Sequence, residues 1–250
     1  MNPISQQFIP KTKTHRSKPV VTRGRDIHEQ HRVSTPLELL FDLTFVVAIA
    51  MAAAQLHHGI VEHHTGQAVV GYLLAFAAIW WAWMNYTWFA SAYDNDDTLF
   101  RVLTMVQMAG VLLFATGVPG LFKGQFLAAV AGYVVMRLAL CTQWLRAAKG
   151  DPYRRKTCLR YALGVAMVQV GWVVFMLSVN SGIVSGGTLW AIIVLLWIWE
   201  LSVPAWAESA GGTPWHAHHI AERYGLMAII VLGECVLGTT NVIASMWEAH

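Results

Sequence analysis

Pro36-Leu-Glu38-Leu-Leu-Phe-Asp42-Leu-Thr-Phe-Val-Val-Ala-Ile-Ala50 decides the fold class of this chain. Glu38 and Asp42 are four residues apart, so on a helix they share one face. The run from Leu43 onward is apolar enough to enter a bilayer. A carboxylate within lipid costs on the order of 2.5–3.5 kcal/mol on insertion scales, so it turns toward a protein partner, water or a ligand. A second segment repeats the design: Glu222-Arg223-Tyr-Gly-Leu-Met-Ala-Ile-Ile-Val-Leu-Gly-Glu234. The two stretches together predict an all-α, polytopic transmembrane helix bundle that encloses a polar site.

Composition agrees. Over half the residues (56%) are apolar and 12% are charged, where soluble domains carry about 25% charged residues. Twelve Trp fit a protein that meets membrane–water boundaries. The net charge of +3 hides an uneven distribution. Residues 1–35 are basic, with Lys11, Lys13, Arg16, Lys18, Arg23, Arg25 and Arg32, and read as a cytosolic tail without fixed structure. No apolar stretch precedes them, so a cleavable signal peptide is not expected. Residues 36–250 read as the transmembrane domain. The expected partner is the lipid bilayer, not nucleic acid. Cys141, Cys158 and Cys235 are scattered and form neither a disulfide framework nor a metal pattern.

A spanning helix needs about 20 mostly apolar residues. Seven segments qualify, at roughly 37–57, 67–90, 99–118, 125–146, 159–179, 188–207 and 222–246. Gly and Pro punctuate the gaps, as in Val118-Pro-Gly120 and Gly211-Gly-Thr-Pro214. Lys and Arg in short loops set the orientation. The tail is basic, and the loop between spans four and five holds Arg146, Lys149, Arg154, Arg155, Lys156 and Arg160. The opposite loops hold Lys123 and no Arg. The N-terminus is therefore expected in the cytosol. The last span runs almost to His250, an abrupt stop that suggests part of a longer protein.

Orientation gives each intramembrane charge a depth, at 1.5 Å per helical residue. Glu38, Asp42, Arg101, Glu222 and Arg223 fall near the cytosolic ends of their spans, and Glu200 a few residues in. Arg137 lies about 14 Å deep and Glu234 about 18 Å from Glu222. Buried charges pair or neutralise. Arg137, charged at any relevant pH, is expected to pair with Asp42 or Glu234. Structural ion pairing with snorkelling ends is the bland account of the shallower charges; Arg137, Asp42 and Glu234 favour a functional one.

Eleven His are present. His57, His58, His63 and His64 flank Glu62 in a loop whose spacing matches no defined metal site. His218 and Glu222 are four apart, as are His219 and Arg223, an arrangement that suits a proton relay. His15, His28 and His31 sit in the tail. The stretch Trp80-Trp-Ala-Trp83-Met-Asn-Tyr86-Thr-Trp88-Phe89 reads as an interfacial aromatic belt, with an aromatic-walled pocket over Asp96 and Asp97 as the sharper reading. No phosphate loop, zincin helix or nucleophile elbow is present, and no cofactor is indicated.

Four blocks in this order resemble the bacterial low temperature requirement A family of membrane proteins. They are Glu38-Leu-Leu-Phe-Asp42-Leu-Thr-Phe-Val; Trp80-Trp-Ala-Trp-Met-Asn-Tyr-Thr-Trp-Phe with Asp94-Asn-Asp-Asp97 and Arg101; Tyr133-Val-Val-Met-Arg137; and His219-Ile-Ala-Glu222-Arg223-Tyr-Gly225 through Gly233-Glu234. The resemblance covers roughly residues 30–245. It implies a longer protein with more spans in a bacterial inner membrane, and no biochemical activity. Placing Glu38 on Glu222 also suggests a parallel repeat of six spans, with a second copy begun in the last span.

Three functions compete at this level. The first is a proton-coupled transporter or channel in which Asp42 and Glu234 carry protons or a cation and Arg137 tunes them. The second is a membrane-embedded enzyme acting on a lipid or hydrophobic cofactor through His219, Glu222 and Asp97. The third is a sensor or assembly factor in cold adaptation. The candidate binding or relay residues are Glu38, Asp42, Asp97, Arg101, Arg137, His219, Glu222, Arg223 and Glu234.

Overall fold

The first helix begins where the sequence provides a start signal. Pro36 occupies its first turn, and Thr35 caps it by accepting a hydrogen bond from the Glu38 amide while the Glu38 carboxylate accepts one from the Thr35 amide. This reciprocal box satisfies two otherwise orphaned N–H groups. The computed structural model describes residues 22–26, 29 and 32–248, apart from the side chains of 241, 242, 245, 246 and 248. Within it are seven helices: α1 (Pro36–Val61), α2 (Thr65–Tyr93), α3 (Thr98–Leu121), α4 (Leu127–Gly150), α5 (Arg155–Asn180), α6 (Gly186–Glu208) and α7 (Ala217–Glu248). The fold is all-α.

Helices α1 to α6 are long and apolar enough to cross a membrane, so the chain is a multi-span membrane protein. The seventh apolar segment is also helical, but α7 begins at Ala217 rather than near residue 222, which brings His218 and His219 into its first turns. In α3 the Val118-Pro-Gly120 sequence is not a break. Pro119 sits near the helix end, and the helix continues to Leu121.

The closest packing joins α3 to α4. A Cβ on Gly132 of α4 would meet the backbone of Phe114 and the Gly110 carbonyl on α3, and one on Gly117 would meet the backbone of Ala129. Small residues let transmembrane backbones approach where lipid offers no hydrophobic drive. Helix α1 packs on α2, α3 and α7, α4 packs on α5, and α5 on α6. The outer surfaces carry exposed Leu43, Leu73, Leu195 and Leu232, as expected where lipid is the solvent.

The described stretches of the N-terminal segment are packed rather than free. The Arg25 amide donates to the Ala92 carbonyl at 2.9 Å, and Arg32 donates to the carbonyls of Ser91 and Ala90. Thr22 lies against Gly150, and Gly24 sits among Asp151, Pro214 and Arg154. The segment thus straps across one end of the bundle, over the α2–α3, α4–α5 and α6–α7 loops. That end is called the strap face here, and the other the far face. His15, His28 and His31 lie outside the described residues.

The α3–α4 contact yields a prediction. Gly132→Val forces side-chain atoms into a backbone, and overpacking of this kind costs about 1–3 kcal/mol or more. Gly233, with open space where its Cβ would stand, should tolerate Ala. Thermal unfolding in detergent should show a clear loss for Gly132→Val and none for Gly233→Ala.

Candidate functional site

Glu38 and Asp42 project from adjacent turns of α1 and are completely buried. Their counter-charge comes from α7. Arg223 donates through Nε to Asp42 Oδ2 at 3.0 Å and through Nη2 to Asp42 Oδ1, the fork geometry that guanidinium and carboxylate share. Its remaining nitrogen, Nη1, stands 3.2 Å from Glu38 Oε1. His219, one turn earlier, places Nε2 3.2 Å from the same oxygen, and Arg32 of the strap reaches it at 3.8 Å. Trp83 Nε1 donates to Asp42 Oδ1 at 2.6 Å. The rings of Trp83 and Tyr86 flank the Arg223 guanidinium at 6.0 and 5.9 Å, within cation–π range.

Arg137 is not part of this cluster. The expectation that it pairs with Asp42 or Glu234 is corrected: its partner is Glu200 on α6. Both are about 1% exposed. Glu200 also accepts from Trp81 Nε1 at 3.1 Å, Tyr133 OH at 3.4 Å and Trp172 Nε1 at 3.4 Å. The Tyr133 ring caps the guanidinium at 5.7 Å. Arg137 itself is under-used, because its Nε and Nη1 are buried with no hydrogen-bond partner among the described residues.

Two cavities end on the side chains that hold Glu200. The larger, about 600 Å³, opens at the far face beside Gln67, Lys123 and Trp190 and reaches Tyr133 and Trp172. The smaller, about 420 Å³, lies between α2 and α6 and reaches Trp81. Val70, Leu74 and Trp197 line both. The walls are predominantly apolar, and Leu73 and Leu201 at the second cavity's lip are over half exposed.

The other sequence candidates sit elsewhere. Asp97 caps α3 through the Phe100 amide at 2.7 Å and pairs with Arg146 at 2.5 Å. Arg101 pairs with Asp96 at 2.6 Å on an exposed edge. Glu222 accepts from the Ser34 amide at 3.4 Å, fixing the strap to α7. Glu234 is half-buried on α7, outside both charged clusters. The aromatic stretch of α2 is not an interfacial belt, because Trp83, Tyr86 and Phe89 are enclosed in the bundle core. Sequence reasoning passed over Glu200, Trp81, Tyr133 and Trp172 as site residues. The available signal was Glu200 itself, an acid inside an apolar run. Among the described residues no three His, Cys, Asp or Glu side chains converge as a metal ligand set.

Asp94, in the α2–α3 loop, is nearly fully buried. It accepts from the Asp96 amide at 2.7 Å, and its main-chain carbonyl accepts from Arg25 Nη1 at 2.9 Å. Burial, reinforced by the Glu38 charge, pushes its carboxyl up to about 6.

The family profile of the bacterial low temperature requirement A protein (LtrA) matches residues 33–249, and the chain belongs to that family. It is 29% identical over 215 residues to the uncharacterized protein RA0937 of Rhizobium meliloti (strain 1021), covering 84% of this chain and 51% of that protein. The chain thus spans about half the length of this curated relative. No solved structure matches it significantly.

Two measurements test the strap-face cluster. Arg223→Gln leaves two acids buried against too little positive charge, a loss of about 3–5 kcal/mol when one partner of a buried pair is removed. Adding Asp42→Asn should recover part of it, giving a non-additive cycle in detergent unfolding. Asp94 has a folded-state pKa above its unfolded value. Its contribution to stability is therefore fully present below about pH 4, the ordinary aspartate value, and is lost as pH rises through about 6. Asp94→Asn should remove that component, so the wild-type minus variant stability difference should fall across this window.

Proposed function

We propose that this LtrA-family protein is a transport-type membrane protein of the bacterial cytoplasmic membrane. Its substrate chamber opens at the far face, and its ionisable site is the Arg137–Glu200 pair behind the chamber wall. The observation that carries this is the coincidence of two cavities on three of the four side chains that hydrogen-bond Glu200. Ligand sites in membrane bundles are concave, largely apolar and supplied with a few placed polar groups, and an intramembrane ion pair costs enough to be rare without a use.

The strap face supports the same reading from the other side. There Arg223, Glu38, Asp42, His219 and Arg32 knit α1, α7 and the strap together, while Asp97–Arg146 ties the α2–α3 loop to α4. A bundle open at one face and closed by ion pairs at the other has the asymmetry that alternating access requires. The basic loops support a cytosolic strap face, and in this scheme the chamber then faces outward. Glu200 is the proton-carrying group in this scheme, in place of Asp42 and Glu234, because it is the acid next to the chamber.

Thiol access tests the scheme. In a background lacking Cys141, Cys158 and Cys235, Leu74→Cys should react with a membrane-impermeant thiol reagent applied to the periplasmic face of intact spheroplasts. Ser209→Cys, exposed at the strap face, should react only after permeabilisation. The reverse pattern would invert the orientation, and protection of Leu74→Cys from both sides would remove the open chamber. In proteoliposomes, Glu200→Gln should slow substrate-coupled proton uptake at least tenfold with the access pattern unchanged. Equal rates would take Glu200 out of the proton path.

A further inference from the structure

We infer that the chamber takes a membrane-dissolved amphipath with a single carboxylic acid head, entering sideways between α2 and α6. This rests on the reading of the chamber as a substrate site and names what the site binds. Three observations carry it.

The first is the shape of the entrance. The smaller cavity lies between α2 and α6 at the level of Trp80 and Trp81, with lipid-exposed Leu73 and Leu201 at its lip. It shares Val70, Leu74 and Trp197 with the larger cavity as lining residues, so only these side chains separate the two. A ligand arriving by this route comes from the bilayer core and needs an apolar body. The walls of both cavities suit such a body and offer almost nothing to a polar one.

The second is the state of Arg137. Guanidinium carries five N–H donors, and here Nη2 is committed to Glu200 while Nε and Nη1 are buried and unpartnered. Each unpartnered buried donor is costly. Nε and Nη1 point to opposite sides of the guanidinium, so an incoming carboxylate takes one of them through a single oxygen, a charge-assisted bond that Arg137 lacks among the described residues. Tyr133 stands between, with its ring lining the chamber and capping Arg137 and its hydroxyl bound to Glu200. A side-chain rotation of Tyr133 brings the chamber onto the guanidinium.

The third is charge balance. Arg137 and Glu200 are neutral as a pair, and the groups facing Glu200 are Arg137 and Tyr133 from α4, Trp172 from α5 and Trp81 from α2. None of these offers a second positive charge. A bare carboxylate entering would leave one uncompensated negative charge in a low-dielectric site. A neutral acid from the bilayer avoids this. Its O–H bond breaks, the proton passes to a Glu200 oxygen, and the resulting substrate carboxylate takes Arg137 as its counter-ion. Bonds, protons and net charge balance, and Glu200 becomes the proton carrier of the bound complex.

Photolabelling tests this in the full chain in nanodiscs, with a long-chain fatty acid bearing a terminal diazirine as the probe and peptide mass spectrometry as the readout. The acid should label chamber-lining peptides of α2 and α6 and be displaced by excess unmodified fatty acid. Its methyl ester, which can neither donate the proton nor pair with Arg137, should label them at least tenfold less. Leu74→Trp, which fills the space between the cavities without touching the ion pair, should cut acid labelling at least tenfold. Arg137→Gln combined with Glu200→Gln, a neutral pair free of a stranded charge, should make acid and ester equal. Equal labelling by acid and ester in the wild type would overturn the carboxylic head, and labelling spread evenly over Leu43, Leu195 and other lipid-facing positions would overturn the chamber as the binding place. Chamber labelling in a protein that fails the thiol-access test would fault the transport reading while leaving this ligand assignment intact.

Discussion

The low dielectric of the membrane interior is the constraint on which the arrangement of this protein depends. A charge placed there must meet its opposite, and Arg223 meets two. It forks onto Asp42 and faces Glu38, so α7 is held to α1 at two successive turns. Glu38 serves twice, because the oxygen not facing Arg223 accepts the Thr35 amide at 2.8 Å and completes the helix cap. The start of α1, the seat of α7 and the path of the strap past Arg32 are thereby set by one carboxylate.

Helix α2 carries this constraint across the bundle. Trp81 and Trp83 are two residues apart, about 200° around a helix with 3.6 residues per turn, and so point to opposite sides. Trp81 donates to Glu200 on α6 and Trp83 to Asp42 on α1. Tyr86, one turn on, contacts Thr104, from which a polar ladder continues to Gln143 and Gln107. Trp88 donates to Tyr224 of α7 at 3.2 Å. One rigid helix therefore touches both ion-pair sites, and a displacement of α2 that lengthens one indole–carboxylate bond bears on the other. The aromatic richness of this stretch is explained by its job as a wall with hydrogen-bonding faces.

The helices were legible in the sequence because apolar length and loop punctuation are local properties. The caps that start α1 at Thr35 and α3 at Asp97 are equally local, though they are visible only in the structure. The turn of Glu38 and Asp42 toward protein partners was legible too, since carboxylates in apolar runs have few places to go; the complete burial of His219 and Arg223 was not. The partners were not. Asp42 and Glu200 lie roughly 10 Å and Arg137 roughly 20 Å from the strap-face ends of their helices at 1.5 Å per residue, so depth does not choose between Asp42 and Glu200 as the mate for Arg137. What chooses is the lateral order of helices, with α3 between α1 and α4 and with α5 joining α4 to α6. That order comes from contacts such as the close approach of Gly132 to Phe114 and Gly110, which no single segment encodes. Pro119 misled because it removes a single donor, the N–H that would bond the Ala115 carbonyl, and α3 ends two residues later.

The two ion-pair sites differ in a way that separates structure from use. At the strap face Arg223 forks onto Asp42 and sets Nη1 beside Glu38 without a hydrogen bond, Asp42 is bound by Trp83 as well, and the cluster is wrapped by α1, α2, α7 and the strap. One cation set against two acids resists change and suits a closure. At the chamber the balance is inverted. Glu200 has four donors, while Arg137 keeps two nitrogens unpartnered. Its carboxylate has more hydrogen bonds than one mate requires, and its cation has fewer than it can make. An arrangement of this kind is not the best-paired one available to these residues, and it becomes so when a further acceptor arrives. The incomplete pairing lies behind the wall of an apolar chamber, where an incoming ligand alters the balance directly.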